Sequence, residues 1–309
     1  MSEHDVAAAT PATAAARRRS AGIVLALVGL LWMAAMLWSA RATITGRTDA
    51  EMEVTSTAYA LPGVTSASLV AGAAVALAVL ALAARRRAFG ATTRFAIATG
   101  TGLALGLLGA LTIITINTEG WVYAVVGGTV AAASTIGGAL GGLRTPRVVA
   151  AICWAAVAVF LVGFVLNLLQ DPVLRLFGAA DTSASQATAA NWFSFTQSVL
   201  GGLAAGLVAY FALRSARRRT EDADVAWPMY ALAGAGPGLL LIVAEGLART
   251  AGARVLELAG KVSELELTVQ RMLSGSRFNS ALIVLFIGAI SAIIAVGRTM
   301  GPAADDDPV

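Results

Sequence analysis

The sequence is poor in the residues on which most protein chemistry depends. It holds one histidine, His4, and one cysteine, Cys153, among 309 residues. An intrachain disulfide is excluded, and so are zinc sites of the His/Cys type and serine–histidine triads, because each needs partners that this inventory does not supply. P-loop, dinucleotide and GxSxG signatures are missing too. No catalytic, cofactor-binding or metal-ligating residue is assigned on these grounds, and a non-enzymatic protein is expected. Charge is also scarce: 13% of the residues are Asp, Glu, Lys or Arg, against 58% apolar. A soluble core of this size would need charged faces on its helices, since part of each must meet water.

What is present is a series of uncharged apolar runs. Eight of them, near 21–40, 64–84, 95–117, 121–143, 148–169, 192–213, 226–247 and 279–297, are long enough to cross a hydrocarbon core about 30 Å thick as helices. The fold class expected is therefore all-α, a polytopic membrane bundle of about eight transmembrane helices. Within these runs Glu245 is the only ionisable side chain.

The net charge of +4 is not a nucleic-acid footprint, because position explains it. Arg17 to Arg19, Arg85 to Arg87, Arg94, Arg144, Arg147, Arg214, Arg217 to Arg219 and Arg298 all fall on one side of an eight-span topology. Basic residues concentrate on the cytoplasmic side of membrane proteins, so that side is expected to be cytoplasmic, with both termini on it. Trp38, Trp121 and Trp192 then mark the outer boundary, and Trp227, Tyr210 and Tyr230 the inner one. A bacterial inner membrane fits this pattern, with the lipid bilayer as an obligatory partner.

Four parts follow along the chain: a cytoplasmic tail over 1–20, four-span units over 21–147 and 148–299, and an acidic tail over 300–309. The first run is 20 residues, longer than a signal-peptide core of about 7–15, so a retained anchor is expected. The two units share a layout of spans, outer loops and arginine clusters. "SLVAGAAVALAVLALAARRR" (68–87) parallels "SVLGGLAAGLVAYFALRSARRR" (198–219), the mark of a 4+4 parallel repeat. The short "NTEG" at 117–120 forces the third and fourth spans to pack side by side.

The stretch "ALAGAGPGLLLIVAEG" (231–246) raises two candidate features. Pro237 lacks the N–H that the Ala233 carbonyl would accept, and Gly234, Gly236 and Gly238 surround it. These residues suit either a helix break, which in carriers forms a substrate site, or a kink with glycines permitting close helix contact. The second role is the expected one. Glu245 lies two residues from the outer end of its span and four before Arg249, so an interfacial ion pair is expected. Other glycines recur at helical spacing: Gly102, Gly106 and Gly109, then Gly137 and Gly141, Gly138 and Gly142, Gly202 and Gly206. They predict tight helix packing in lipid.

Two loops complete the picture. In "TDAEME" the residues Asp49, Glu51 and Glu53 alternate, which in an extended strand would point three carboxylates one way, toward a hard cation. This resembles the acidic motif in the first outer loop of membrane glycosyltransferases that use lipid-phosphate sugars. The resemblance covers six residues and no second catalytic signature follows, so a solvated acidic loop is expected. In "ARVLELAGKVSELELTVQRMLS" (253–274), Val255, Leu258, Val262, Leu265, Val269 and Met272 recur at heptad spacing. A single amphipathic outer helix is expected there, about 33 Å long, lying on the membrane surface or on its own bundle, with the seam's use by a homo-oligomer or an envelope protein partner as the alternative. The function expected is thus a non-enzymatic envelope interaction or scaffold protein, or a transport accessory. A secondary carrier of a small or apolar substrate is the alternative, followed by the glycosyltransferase-like enzyme.

Overall fold

The structure is a computed structural model that describes residues 11–45, 50–85, 89–116, 121–217, 226–259 and 264–299; within these, the side chains of 11–20, 44–45, 50–56, 58, 256–259 and 264–271 are excepted. The described residues form nine helices: α1 (Pro11–Thr45), α2 (Ala50–Ala83), α3 (Ala91–Ile114), α4 (Trp121–Gly141), α5 (Pro146–Leu168), α6 (Gln170–Leu176), α7 (Ser183–Arg217), α8 (Trp227–Ala259) and α9 (Glu264–Gly297). All but the short α6 are long and apolar enough to cross a membrane. The chain is a multi-pass helical bundle, with spans close to those read from hydropathy.

Local sequence explains where several helices start and stop. Pro146 opens α5 from the first turn, where its missing N–H costs nothing. Gly178, at φ +83°, closes α6. Its N–H bonds the Arg175 carbonyl and that of Ala179 bonds Leu174, the paired pattern of a left-handed glycine cap. Thr182 then accepts the Ser185 N–H through its side chain and starts α7.

The helices pair in similar but not identical ways in the two halves of the chain, α5 also packing on α8. In the first unit α1 packs on α2, α2 on α3 and α4, and α3 on α4. In the second, α5 packs on α7, α7 on α8 and α9, and α8 on α9. Among the described residues, the first span of neither half touches the fourth. The units join through α5 and α8, which meet α1, α2 and α4.

Glycines make the closest junctions. A Cβ on Gly102 would lie 2.8 Å from the Gly138 Cα, so α3 and α4 touch backbone to backbone. Gly234 opposes Gly288 between α8 and α9 in the same manner, and Gly206 also meets Gly288 from α7. Lipid tails are as apolar as the side chains, so dispersion gained by close approach is a main force holding such helices together. Further ties lie at the ends. Arg94 donates to the Leu143 carbonyl at 2.8 Å beside the other arginines, and Arg41 to the Thr112 carbonyl at 2.8 Å at the opposite end.

Three features differ from the sequence reading. The segment 253–274 is not one helix: 253–259 extends α8 and 264–274 opens α9. Apolar spacing continuous in sequence is therefore divided between two paired helices. Glu51 and Glu53 lie on α2, where alternate positions do not share a face, so the strand geometry that would converge three carboxylates is absent; Asp49 lies outside the described residues. Of the aromatic markers, Trp38, Trp121, Trp192 and Trp227 are exposed, but Tyr210 and Tyr230 are buried against each other at 6.1 Å between ring centroids. The two tails lie outside the described residues apart from 11–20, which continue α1.

Candidate functional site

The one charged side chain within the apolar runs of the sequence, Glu245, organises the site. Glu245 is 3% exposed, in the C-terminal half of the span Trp227–Val255. Its Oε1 takes Arg249 Nε at 3.2 Å, the expected pair one turn along α8. Its Oε2 takes Arg277 Nε at 2.8 Å from α9, and Oε1 also accepts the Ser274 hydroxyl. Arg249 spans further: its Nη2 donates to the Ser274 carbonyl at 2.9 Å, and its guanidinium sits 5.3 Å from the Phe278 ring centroid. A pair expected on one helix face is thus a cluster around a buried carboxylate that staples α8 to α9. Sequence reasoning missed Arg277 because the local i, i+4 rule cannot see a partner 32 residues away.

Glu245 and Arg277 line a cleft of about 430 Å³ formed by α2, α5, α7, α8 and α9. Its floor carries Ala244, Glu245, Ser198, Ala281 and Val284, all buried; its rim carries Phe164, Asn167 and Ser276, all exposed. Along α5 the lining runs from Asn167 to Val159, about 12 Å of depth at 1.5 Å per residue. Ser66 and Ser198 satisfy themselves within their own helices, donating to the Pro62 and Ser194 carbonyls at 2.9 and 2.8 Å. The Gln197 and Asn167 amides make no hydrogen bond among the described residues. Gly163 leaves room for Gln197, whose Nε2 would be 2.9 Å from a Cβ there. The cleft therefore offers hydrogen-bond donors and acceptors that the protein does not use.

A second chamber of about 190 Å³ adjoins it, lined by Trp32 and Met36 of α1, by Gly63, Ser66 and Val70 of α2, by Ala156, Val159 and Phe160 of α5, and by Pro237, Leu240 and Leu241 of α8. Ser66, Val159, Phe160 and Leu241 belong to both spaces. Aromatic rings run from the rim inward, Phe164 to Phe160 at 6.1 Å and Phe160 to Trp32 at 4.6 Å between centroids.

The Gly–Pro segment sits beside this chamber without breaking its helix. α8 is continuous through Pro237, which is buried. Gly234 and Gly238 face α9, where a Cβ on Gly238 would lie 2.5 Å from the Leu285 Cα, and Gly236 faces Ile152 on α5. The glycines thus let α8 wedge between two neighbours. Pro237→Ala restores a helix donor at a position already helical, so it should leave the folded bundle intact. Retained elution volume and a melting temperature at or above wild type check this; aggregation would show that the ring is needed for packing.

The association seam is described only in part. Val255 is fully buried among Leu37, Ala40, Leu61 and Tyr123, on the first unit, whereas Met272 on α9 is 71% exposed. The side chains of Leu258, Leu265 and Val269, and the whole of Val262, lie outside the described residues. Among the described residues no group of His, Cys, Asp and Glu is placed to hold a metal. The chain matches no family model, and no curated protein or solved structure is similar to it.

Proposed function

We propose that this multi-pass membrane protein is a non-enzymatic carrier that takes a small ligand into the cleft beside Glu245. The supporting observation is the amide of Gln197, part-buried on the cleft wall and without a partner among the described residues, with that of Asn167 at the rim above it, in an otherwise apolar bundle. Polar side chains at membrane depth are costly unless water or a ligand meets them, so such a lining fits a wet, occupied cleft. With the arginine end cytoplasmic, as the charge bias implies, the cleft opens outward.

Thiol labelling tests this reading. In a Cys153→Ala background, Ser280→Cys should react with a membrane-impermeant maleimide added outside, and cell-extract fractions that slow the reaction contain a ligand. Gly163→Trp, which crowds the cleft at Gln197, should abolish the labelling. Equal reactivity of Ser280→Cys and of Leu203→Cys, exposed on the outside of α7, would remove the reading.

Envelope association is the second reading, favoured by the exposed apolar Met272 on the α8–α9 hairpin. Leu258→Glu with Leu265→Glu should abolish a crosslinked dimer or partner complex that Ser263→Ala with Gln270→Ala preserves; unchanged crosslinking in both pairs would count against it.

A further inference from the structure

We propose that the cleft and the adjoining chamber together bind an anionic amphiphile, its acidic head on Arg277 and its apolar part in the chamber lined by Trp32, Phe160 and Leu240. This rests on the ligand-binding reading and adds the chemical class.

Arg277 is the charge left to spare. Glu245 neutralises one of the two arginines that it touches. Arg249 is committed through Nε, Nη2 and its ring contact. Arg277 uses Nε alone, and among the described residues its terminal Nη1 and Nη2 make no hydrogen bond. Two unengaged terminal nitrogens of a guanidinium are a fork for a carboxylate, phosphate or sulfonate. Glu245 is a positioning residue here, because its bond to Nε fixes the plane of that fork. Arg277 is 39% exposed and lines the cleft, so an anion can reach it.

The apolar half is set by the second chamber. It lies deeper, beside Pro237 and Val70, and it shares Ser66, Val159, Phe160 and Leu241 with the cleft, so one molecule can occupy both. Its 190 Å³ holds about six groups of the size of a water molecule, near that of a methylene. A short alkyl chain or a single ring fits. Polar head near the span ends and apolar part toward mid-bundle is also how an amphiphile lies in a leaflet.

The test uses the full-length protein in nanodiscs of phosphatidylcholine. Alkyl carboxylates from butyrate to octanoate are assayed for protection of Ser280→Cys in the Cys153→Ala background. Affinity should rise roughly fourfold per methylene, as transfer of each from water implies, until the chamber is full. The anion 8-bromooctanoate should quench emission saturably, and Trp32→Phe should remove that component. Arg277→Gln should weaken binding about tenfold or more, with Arg277→Lys between. Ala156→Phe should weaken octanoate and spare butyrate. Adding phosphatidylglycerol separates two sources of the same chemistry: competition means that a bilayer lipid is the natural occupant, and no competition means a free amphiphile. Equal affinity for butyrate and octanoate, or for octanoate and octanol, overturns the proposal while labelling of Ser280→Cys still upholds the cleft. Loss of that labelling in the unliganded protein overturns the ligand-binding reading itself.

Discussion

Gly138→Val is expected to force α3 and α4 apart and to destabilise the bundle by about 2–3 kcal/mol. A Cβ at Gly138 would stand 2.6 Å from the Ala98 carbonyl oxygen and 2.8 Å from the Gly102 Cα, both backbone atoms that cannot swing aside. One contact of that kind shifts a whole helix, and α4 also packs on α2 and α8. Gly128 provides the control on the same helix, since nothing lies within 4 Å of a Cβ there. Thermal unfolding in a mild detergent should lower the midpoint for Gly138→Val and leave Gly128→Val near wild type. Equal midpoints for the two variants would mean that the glycine contact carries little of the packing energy.

Glu245→Ala should be the most damaging change to a polar side chain, costing about 2–3 kcal/mol. It removes the acceptor of three hydrogen bonds, from Arg249, Arg277 and Ser274, and leaves two cations facing each other. The cost stays below that of a fully buried pair because Arg249 and Arg277 are 48% and 39% exposed and can turn toward water. Glu245→Gln keeps an acceptor oxygen without the charge and should recover about half of the loss. Parallel unfolding curves check the order wild type, Gln, Ala. A midpoint for Glu245→Ala indistinguishable from wild type would show that the cluster holds nothing together.

Where sequence and structure agree, the signal is one that each residue carries by itself. Uncharged runs fix the eight spans, because a helix in lipid must be apolar along its whole length whatever its neighbours are. The glycines at positions 102, 138, 202 and 206 were legible as contact points, since small residues at helical spacing have few other uses in such a helix. Pro237 was legible as an interruption, but whether its helix breaks depends on Gly234, Gly236 and Gly238 pressing against α9 and α5, which no local pattern reports. The heptad spacing over 253–274 was real and yet misleading. Periodicity counts residues along the chain, whereas 253–259 belongs to α8 and 264–274 to α9, which divides the seam.

The amino-acid sequence by itself determined that this is a helical membrane protein, where its helices lie and which of them approach closely, because the bilayer imposes those constraints one segment at a time. Only the tertiary structure decided that Glu245 meets Arg277 as well as Arg249, and that Asn167, Gln197 and Ser280 share a cleft with them. These residues come from four different helices, and only packing brings them together. Polar side chains scattered singly along apolar spans look alike in sequence; burial and distance, set by how the helices cross, separate the few that line a site from the rest.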